Sequence, residues 1–137
     1  MGSVAVLASG TGSNLQALLD DPRVGPAVRM LVSDRAEAKA LDRARSAGIE
    51  AVHLDPRSFA DRGSHDAALA GLLRDRAIEV VCLAGYMRLL SPAVVRAFWG
   101  RMLNVHPSLL PAFPGAHAVR DALAWGAKVT GCTVHLV

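Results

Sequence analysis

The sequence is short of the features that mark several large classes of protein. Two cysteines in 137 residues, Cys82 and Cys132, cannot build the disulfide framework of a small secreted domain. Both sit in apolar, strand-like runs and read as small buried hydrophobes. No apolar run approaches the ~18 residues of a membrane span, and no basic stretch followed by a long apolar one opens the chain as a secretion signal would. Aromatic residues make up only 4% of the chain and its 15 basic residues are scattered, so neither a stacking platform nor a basic stripe offers itself to nucleic acid. Internal repeats, low-complexity tracts and linkers are lacking too. A cytoplasmic protein with neither nucleic-acid nor membrane partners is expected.

What is present is the composition of a folded domain. The 52% hydrophobic and 20% charged residues lie far from the profile of disorder, and 137 residues suffice for one core. Short β-branched runs alternate with helical patterns: Val4–Ala8, then Leu15, Leu18 and Leu19; Val28–Val32, then Ala36–Ala47; Ala51–Leu54, then Ala67–Leu73; Val80–Leu83, then Pro92–Trp99; Met102–Val105, then Ala118–Trp125; and finally Val129–Val137. Gly48, Gly100 and Gly126 stand where helices should stop, and Ser91-Pro92 reads as an N-cap followed by proline at the first helical position. The expected fold is α/β: a Rossmann-like, open, mostly parallel twisted sheet with helices on both faces. Ligands of such a sheet lie beyond the carboxyl ends of its strands. The longest stretch without a pattern, 107–115, holds three prolines and follows a strand, as a functional loop would.

The first strand runs into Ser9-Gly10-Thr11-Gly12-Ser13-Asn14 and then a helix, bringing backbone amides and a helix N-terminus to one point suited to an anion. Asp34, ending the second strand, stands about where the ribose-binding acid of a dinucleotide site would be. Leu15, however, replaces the third glycine of that motif, and its side chain crowds the close helix-to-strand contact the motif requires. A single phosphate monoester fits better. The glycines also suit an ordinary tight turn in which Ser13 or Asn14 caps the helix.

The fifth strand delivers Asn104 and His106 to its carboxyl end, on one side of an extended chain. Pro107 keeps His106 extended. An imidazole can exchange protons with an attacking amine and a carboxamide can donate to an oxyanion, which together suit acyl-type transfer. The same pair also suits a plain strand end, with Asn104 tethering a loop and His106 a satisfied buried histidine. His106, His117 and His135 show no spacing of a metal motif, so no metal is expected.

The segments Ser9–Gln16, Ala84–Pro92, Leu103–Pro111, Phe113–Gly115 and Thr130–His135 match, in order and spacing, the folate-dependent glycinamide ribonucleotide formyltransferase family, which the whole chain resembles. The resemblance implies transfer of the formyl group of 10-formyltetrahydrofolate, a co-substrate, to the amine of 5-phosphoribosylglycinamide in purine synthesis. It implies small-molecule partners only, with a homodimer left open. Gly12, Ser13 and Asn14 would hold the substrate's phosphate. Met87, Arg88, Leu89 and Leu90 would line the pterin pocket, with Arg62, in the loop after Phe59, and Asn104 near the folate. Asn104 and His106 become oxyanion stabiliser and general acid/base, and Gly85, Pro107, His117 and His135 support the pocket. Read without the resemblance, Met87, Leu89 and Leu90 are ordinary core and Arg62 is a surface charge.

In the family the chain continues into an acidic loop with an essential aspartate, then a further strand and a C-terminal helix. By this resemblance residues 1–137 form a single formyltransferase domain that lacks the C-terminal segment. None of Asp20, Asp21, Asp34, Asp55, Asp61, Asp66, Asp75 and Asp121 stands in the expected position. The unpaired edge of an exposed final strand without its neighbour would invite self-association. The alternatives are a formyltetrahydrofolate deformylase, which uses water as acceptor, and a non-catalytic ligand-binding fragment.

Overall fold

The computed structural model describes residues 2–137. Eleven elements alternate along them: β1 (Val4–Leu7), α1 (Ser13–Asp20), β2 (Val28–Ser33), α2 (Lys39–Ser46), β3 (Glu50–His53), α3 (Arg62–Asp75), β4 (Val80–Leu83), α4 (Pro92–Ala97), β5 (Met102–His106), α5 (Ala118–Trp125) and β6 (Thr133–Leu136). The six strands form one sheet in the order β3-β2-β1-β4-β5-β6. Every pairing is parallel except that of β5 with β6.

Strand β1 lies at the centre, and its side chains alternate between two cores as a strand buried on both faces must. Ala5 and Leu7 join Leu69 and Leu73 of α3, Val94 of α4 and Phe98 on one face. Val6 and Ala8 join Leu15 of α1 and Leu41 and Ala44 of α2 on the other. The expected two-sided α/β architecture is therefore present. Among the described residues, no helix is long and apolar enough to cross a membrane.

Several boundaries differ from the sequence reading, each for a local reason. Helix α3 begins at Arg62, well before the expected Ala67, because Asp61 caps it: Oδ1 accepts from the Ser64 N–H at 2.7 Å and from the Ser64 hydroxyl at 2.8 Å. Arg62 accordingly occupies the first turn of a helix and is not a loop residue. The final strand is confined to Thr133–Leu136 and runs antiparallel to β5. Cys132 falls outside it and is exposed, and Cys82 is only half-buried, so the reading of both as buried hydrophobes fails for Cys132 and holds in part for Cys82. Burial pushes the Cys82 thiol pKa up, away from the thiolate form.

The residue that replaces the third glycine is a core residue. Leu15 is fully buried, so Leu15→Ala should lower unfolding free energy by about 2–5 kcal/mol in a urea titration. A loss well below that would mean that α1 closes over the vacated space.

Candidate active site

The strand order reverses beside β1, so the connections leaving β1 and β4 part in opposite directions and open a crevice at their carboxyl ends. The glycine turn forms one wall. It is braced from behind by α2: the Ala40 N–H donates to Gly10 O at 3.1 Å, and Arg43 Nε donates to Thr11 O at 2.7 Å. Gly12 sits at φ 76°, and a Cβ there would lie 2.8 Å from the Ala40 backbone, so a side chain is excluded twice over.

Gly12 is also the N-cap of α1 and offers no side-chain cap; neither Ser13 nor Asn14 supplies one. The first-turn amides of α1 thus keep their donors for a ligand. Ser13 and Asn14 are exposed, and together with Gly10, Gly12, Ala84 and Gly85 they line a hollow of about 210 Å³.

The β4 loop forms the opposite wall and is tied to the turn by Ser9. The Ser9 N–H donates to Gly85 O at 3.0 Å. The Ser9 hydroxyl, almost wholly buried, donates to Asp34 Oδ1 at 2.6 Å and accepts the Met87 N–H at 2.9 Å. Asp34 Oδ1 is thereby engaged by Ser9, which ties the end of β2 to the turn. Sequence reasoning placed Ser9 in a motif but gave its hydroxyl no task.

Beyond Gly85, at φ 78°, the loop turns its side chains to different fates. Met87 and Leu89 are 61% and 77% exposed, which excludes the reading of both as core. Leu90 and Tyr86 pack against the α3 and α4 side of the core. Arg88 is half-buried with its Nε lacking a hydrogen-bond partner among the described residues. Burial, with Asp34 and Asp66 nearby, pushes the Tyr86 phenol well above its ordinary pKa, so it stays a neutral hydroxyl.

Asn104 and His106 share a face of β5 with Met102, which lies in the α3 and α4 core. Their register partners on β6 are His135 and Thr133. Asn104 Nδ2 lies 3.2 Å from His135 Nε2, and His135 Nδ1 lies 3.0 Å from Leu136 O. With Nδ1 donating to that carbonyl, Nε2 accepts from the carboxamide, which aims the amide group of Asn104. His106 Nε2 lies 2.9 Å from Phe113 O, so the proline-containing loop folds back onto the imidazole.

That loop is pinned by two residues to which the sequence reading assigned no role. The Thr133 hydroxyl donates to Ser108 O at 2.8 Å and accepts the Leu110 N–H at 3.0 Å, while the fully buried Ser108 hydroxyl donates to Ala112 O. Pro107 is exposed at the start of the loop, and His117 is exposed at the N-cap of α5 without a capping bond. The structure thus brings His135 to Asn104 but gives His117 no comparable contact. Among the described residues, no cluster of three or more His, Cys, Asp or Glu side chains could hold a metal ion.

The model of the formyl transferase family matches residues 3–137. The chain belongs to that family. The chain is 40% identical over 140 residues to the phosphoribosylglycinamide formyltransferase of Bacillus subtilis, covering all of this chain and 72% of the relative. It is 46% identical over 137 residues to the human trifunctional purine biosynthetic protein adenosine-3, covering 98% of this chain and 14% of that much longer protein. Its structure superposes on glycinamide ribonucleotide transformylase 1 from Symbiobacterium toebii with a TM-score of 0.95 at 53% identity, covering 100% of this chain and 66% of that one. The chain therefore spans about two thirds of that solved relative and about a seventh of the trifunctional one.

Replacing Ser9 with alanine leaves the part-buried Met87 N–H and Asp34 Oδ1 without their partner. Ser9→Ala should cost about 1–3 kcal/mol in a denaturant titration, and a change near zero would show that water takes over both bonds. Asp61 gives a pH-dependent case. The N–H bond from Ser64 holds its carboxyl below the ordinary value. Its folded pKa lies below the unfolded one, so the stabilisation is present above the unfolded value and is lost as pH falls through the folded value. Asp61→Ala should therefore lower the thermal midpoint at neutral pH, with the gap closing in acid; a gap constant with pH would contradict this role.

Proposed function

We propose that this formyl transferase moves the formyl group of 10-formyltetrahydrofolate to the amine of 5-phosphoribosylglycinamide, a step of purine biosynthesis carried out in the cytoplasm. The observation that carries the reading is the meeting of three features at one edge of the sheet: amides free to bind an anion, a loop presenting exposed apolar side chains, and a strand ending in an amide and an imidazole. The likeness to phosphoribosylglycinamide formyltransferases supports phosphoribosylglycinamide as the acceptor of a formyl group.

In this reading the amides and side chains of Gly12, Ser13 and Asn14 hold the ribonucleotide's phosphate, fixing one end of the acceptor. Met87, Arg88, Leu89 and Leu90 receive the pterin, with backbone groups reading its edge and Met87 and Leu89 covering its faces. Arg62, at the start of α3, meets the folate's anionic part. Gly85 gives the loop its turn, and Pro107 shapes the backbone beyond His106.

The acceptor amine forms a bond to the formyl carbon while the bond from that carbon to the folate nitrogen breaks. Charge collects on the formyl oxygen, where an N–H of Asn104 stabilises it. The amine must lose a proton and the folate nitrogen must gain one, and His106 moves it. His135 holds Asn104 in the donating orientation. Holding both substrates side by side replaces a bimolecular encounter with a local one, so the walls contribute as much as the two polar side chains.

The test is an assay with 10-formyltetrahydrofolate, following the tetrahydrofolate product, with and without 5-phosphoribosylglycinamide. Product that depends on the ribonucleotide is expected; product formed equally with water alone would overturn the assignment. His106→Ala should lower transfer by about 10²-fold or more, with ribose 5-phosphate bound as before. Full turnover in that variant would remove His106 from the reaction.

A further inference from the structure

Helix α3 and the β4 loop meet at one buried carboxylate that the proposed chemistry does not use. Asp66 is 1% exposed, and its Oδ2 accepts the Ser91 N–H at 2.8 Å. Ser91 closes the Gly85–Leu90 loop and stands at the N-cap of α4, yet its own side chain makes no capping bond. The loop is thus anchored at both ends from outside itself: Ser9 takes the Met87 N–H and Asp66 takes the Ser91 N–H.

The carboxylate lies beside a second buried polar group. Its Oδ1 lies 3.5 Å from Nδ1 of His65, which is wholly buried. His65 is itself fixed, with Nε2 2.9 Å from Leu54 O and the ring edge-on to Phe59 at a centroid distance of 5.4 Å. Nε2 faces a carbonyl and so carries its hydrogen, while Nδ1 has no hydrogen-bond partner among the described residues. Arg62 precedes Asp66 by four residues on α3, which puts both on one side of the helix.

We propose that Asp66 is a positioning residue for the folate side of the site, coupling the Gly85–Leu90 loop to the helical turn that carries Arg62. This rests on the reading of that loop and Arg62 as folate contacts. The two elements approach the folate from different parts of the chain, and the Asp66–Ser91 bond sets the distance between them. The phosphate turn hangs from Ser9 and α2 instead, so it should not feel the loss of Asp66.

Two variants of the 137-residue chain separate positioning from general stability. Asp66→Ala removes the acceptor. Asp66→Asn keeps an oxygen for the Ser91 N–H and turns an amide N–H toward His65 Nδ1, where a partner is lacking. Three quantities are read: hydrogen exchange at the Ser91 amide, the Kd for tetrahydrofolate and the Kd for ribose 5-phosphate. In Asp66→Ala, Ser91 exchange and the tetrahydrofolate Kd should both rise about tenfold, one hydrogen bond's worth, with the ribose 5-phosphate Kd unchanged. Asp66→Asn should restore both.

If Asp66→Ala does not fold, Ser91→Pro deletes the donor alone, since Ser91 already sits at φ −67°. The same selective loss of tetrahydrofolate is then expected. Equal weakening of both ligands, failure of Asp66→Asn to rescue, or an unchanged tetrahydrofolate Kd would overturn the proposal. A parent chain that binds no tetrahydrofolate would instead overturn the functional reading, while Ser91 exchange would still report whether Asp66 anchors the loop.

Discussion

The Ser9 hydroxyl is the point on which the site's geometry depends. It stands just past β1, the central strand, and joins the end of β2 through Asp34 to the loop leaving β4 through the Met87 N–H. A hydroxyl donates once and accepts readily, and here both capacities are spent on neighbours from the two sides of one strand. Parallel strands alone align three carboxyl ends but leave the loops beyond them free to diverge. One buried side chain converts that alignment into a fixed spacing between the glycine turn and the apolar loop. The bond to Asp34 reaches a carboxylate and is partly buried, so it resists exchange with water more than an exposed contact would.

Behind the glycine turn the constraint is steric. Ala40 presses so close to Gly12 that the helix packing and the turn conformation are one feature, since α2 could not approach if any side chain grew from that position. Glycine is needed here for space as well as for its positive φ, and both demands keep the α1 amides pointing outward. The burial of Leu15 completes the arrangement from the other side of the helix. The turn here pairs a large buried residue with a bare backbone, whereas a dinucleotide turn spends its third glycine on closer helix contact.

The alternation of strands and helices was legible because burial on both faces of a parallel sheet leaves continuous apolar runs between amphipathic stretches. The placement of the glycine turn and of Asn104 and His106 at a strand end was legible for a related reason: each follows from residues adjacent in the chain. What escaped the sequence was tertiary. Thr133 and Ser108 are 25 residues apart and act through one carbonyl, and nothing local announces that bond. Asp66 looks like any helical acid until its burial and its bond to Ser91 are seen. The early start of α3 was written in Asp61 and Ser64, but the weak amphipathicity of the first turn hid it. The exposure of Cys132 followed from where β6 begins, a boundary set by pairing with β5 and not by apolar content.

The antiparallel pairing of β5 and β6 has a consequence for the polar pair at the strand end. In register, Asn104 faces His135 and His106 faces Thr133, so each side chain meets a polar partner on the same face. A parallel β6 would run its carboxyl end alongside that of β5, and the connection between them would need a crossover over one face of the sheet. The antiparallel turn-back instead lets the loop after β5 stay at the carboxyl edge, where Thr133 pins it and the Phe113 carbonyl reaches His106. That carbonyl accepts from the ring nitrogen and so fixes the direction of the imidazole.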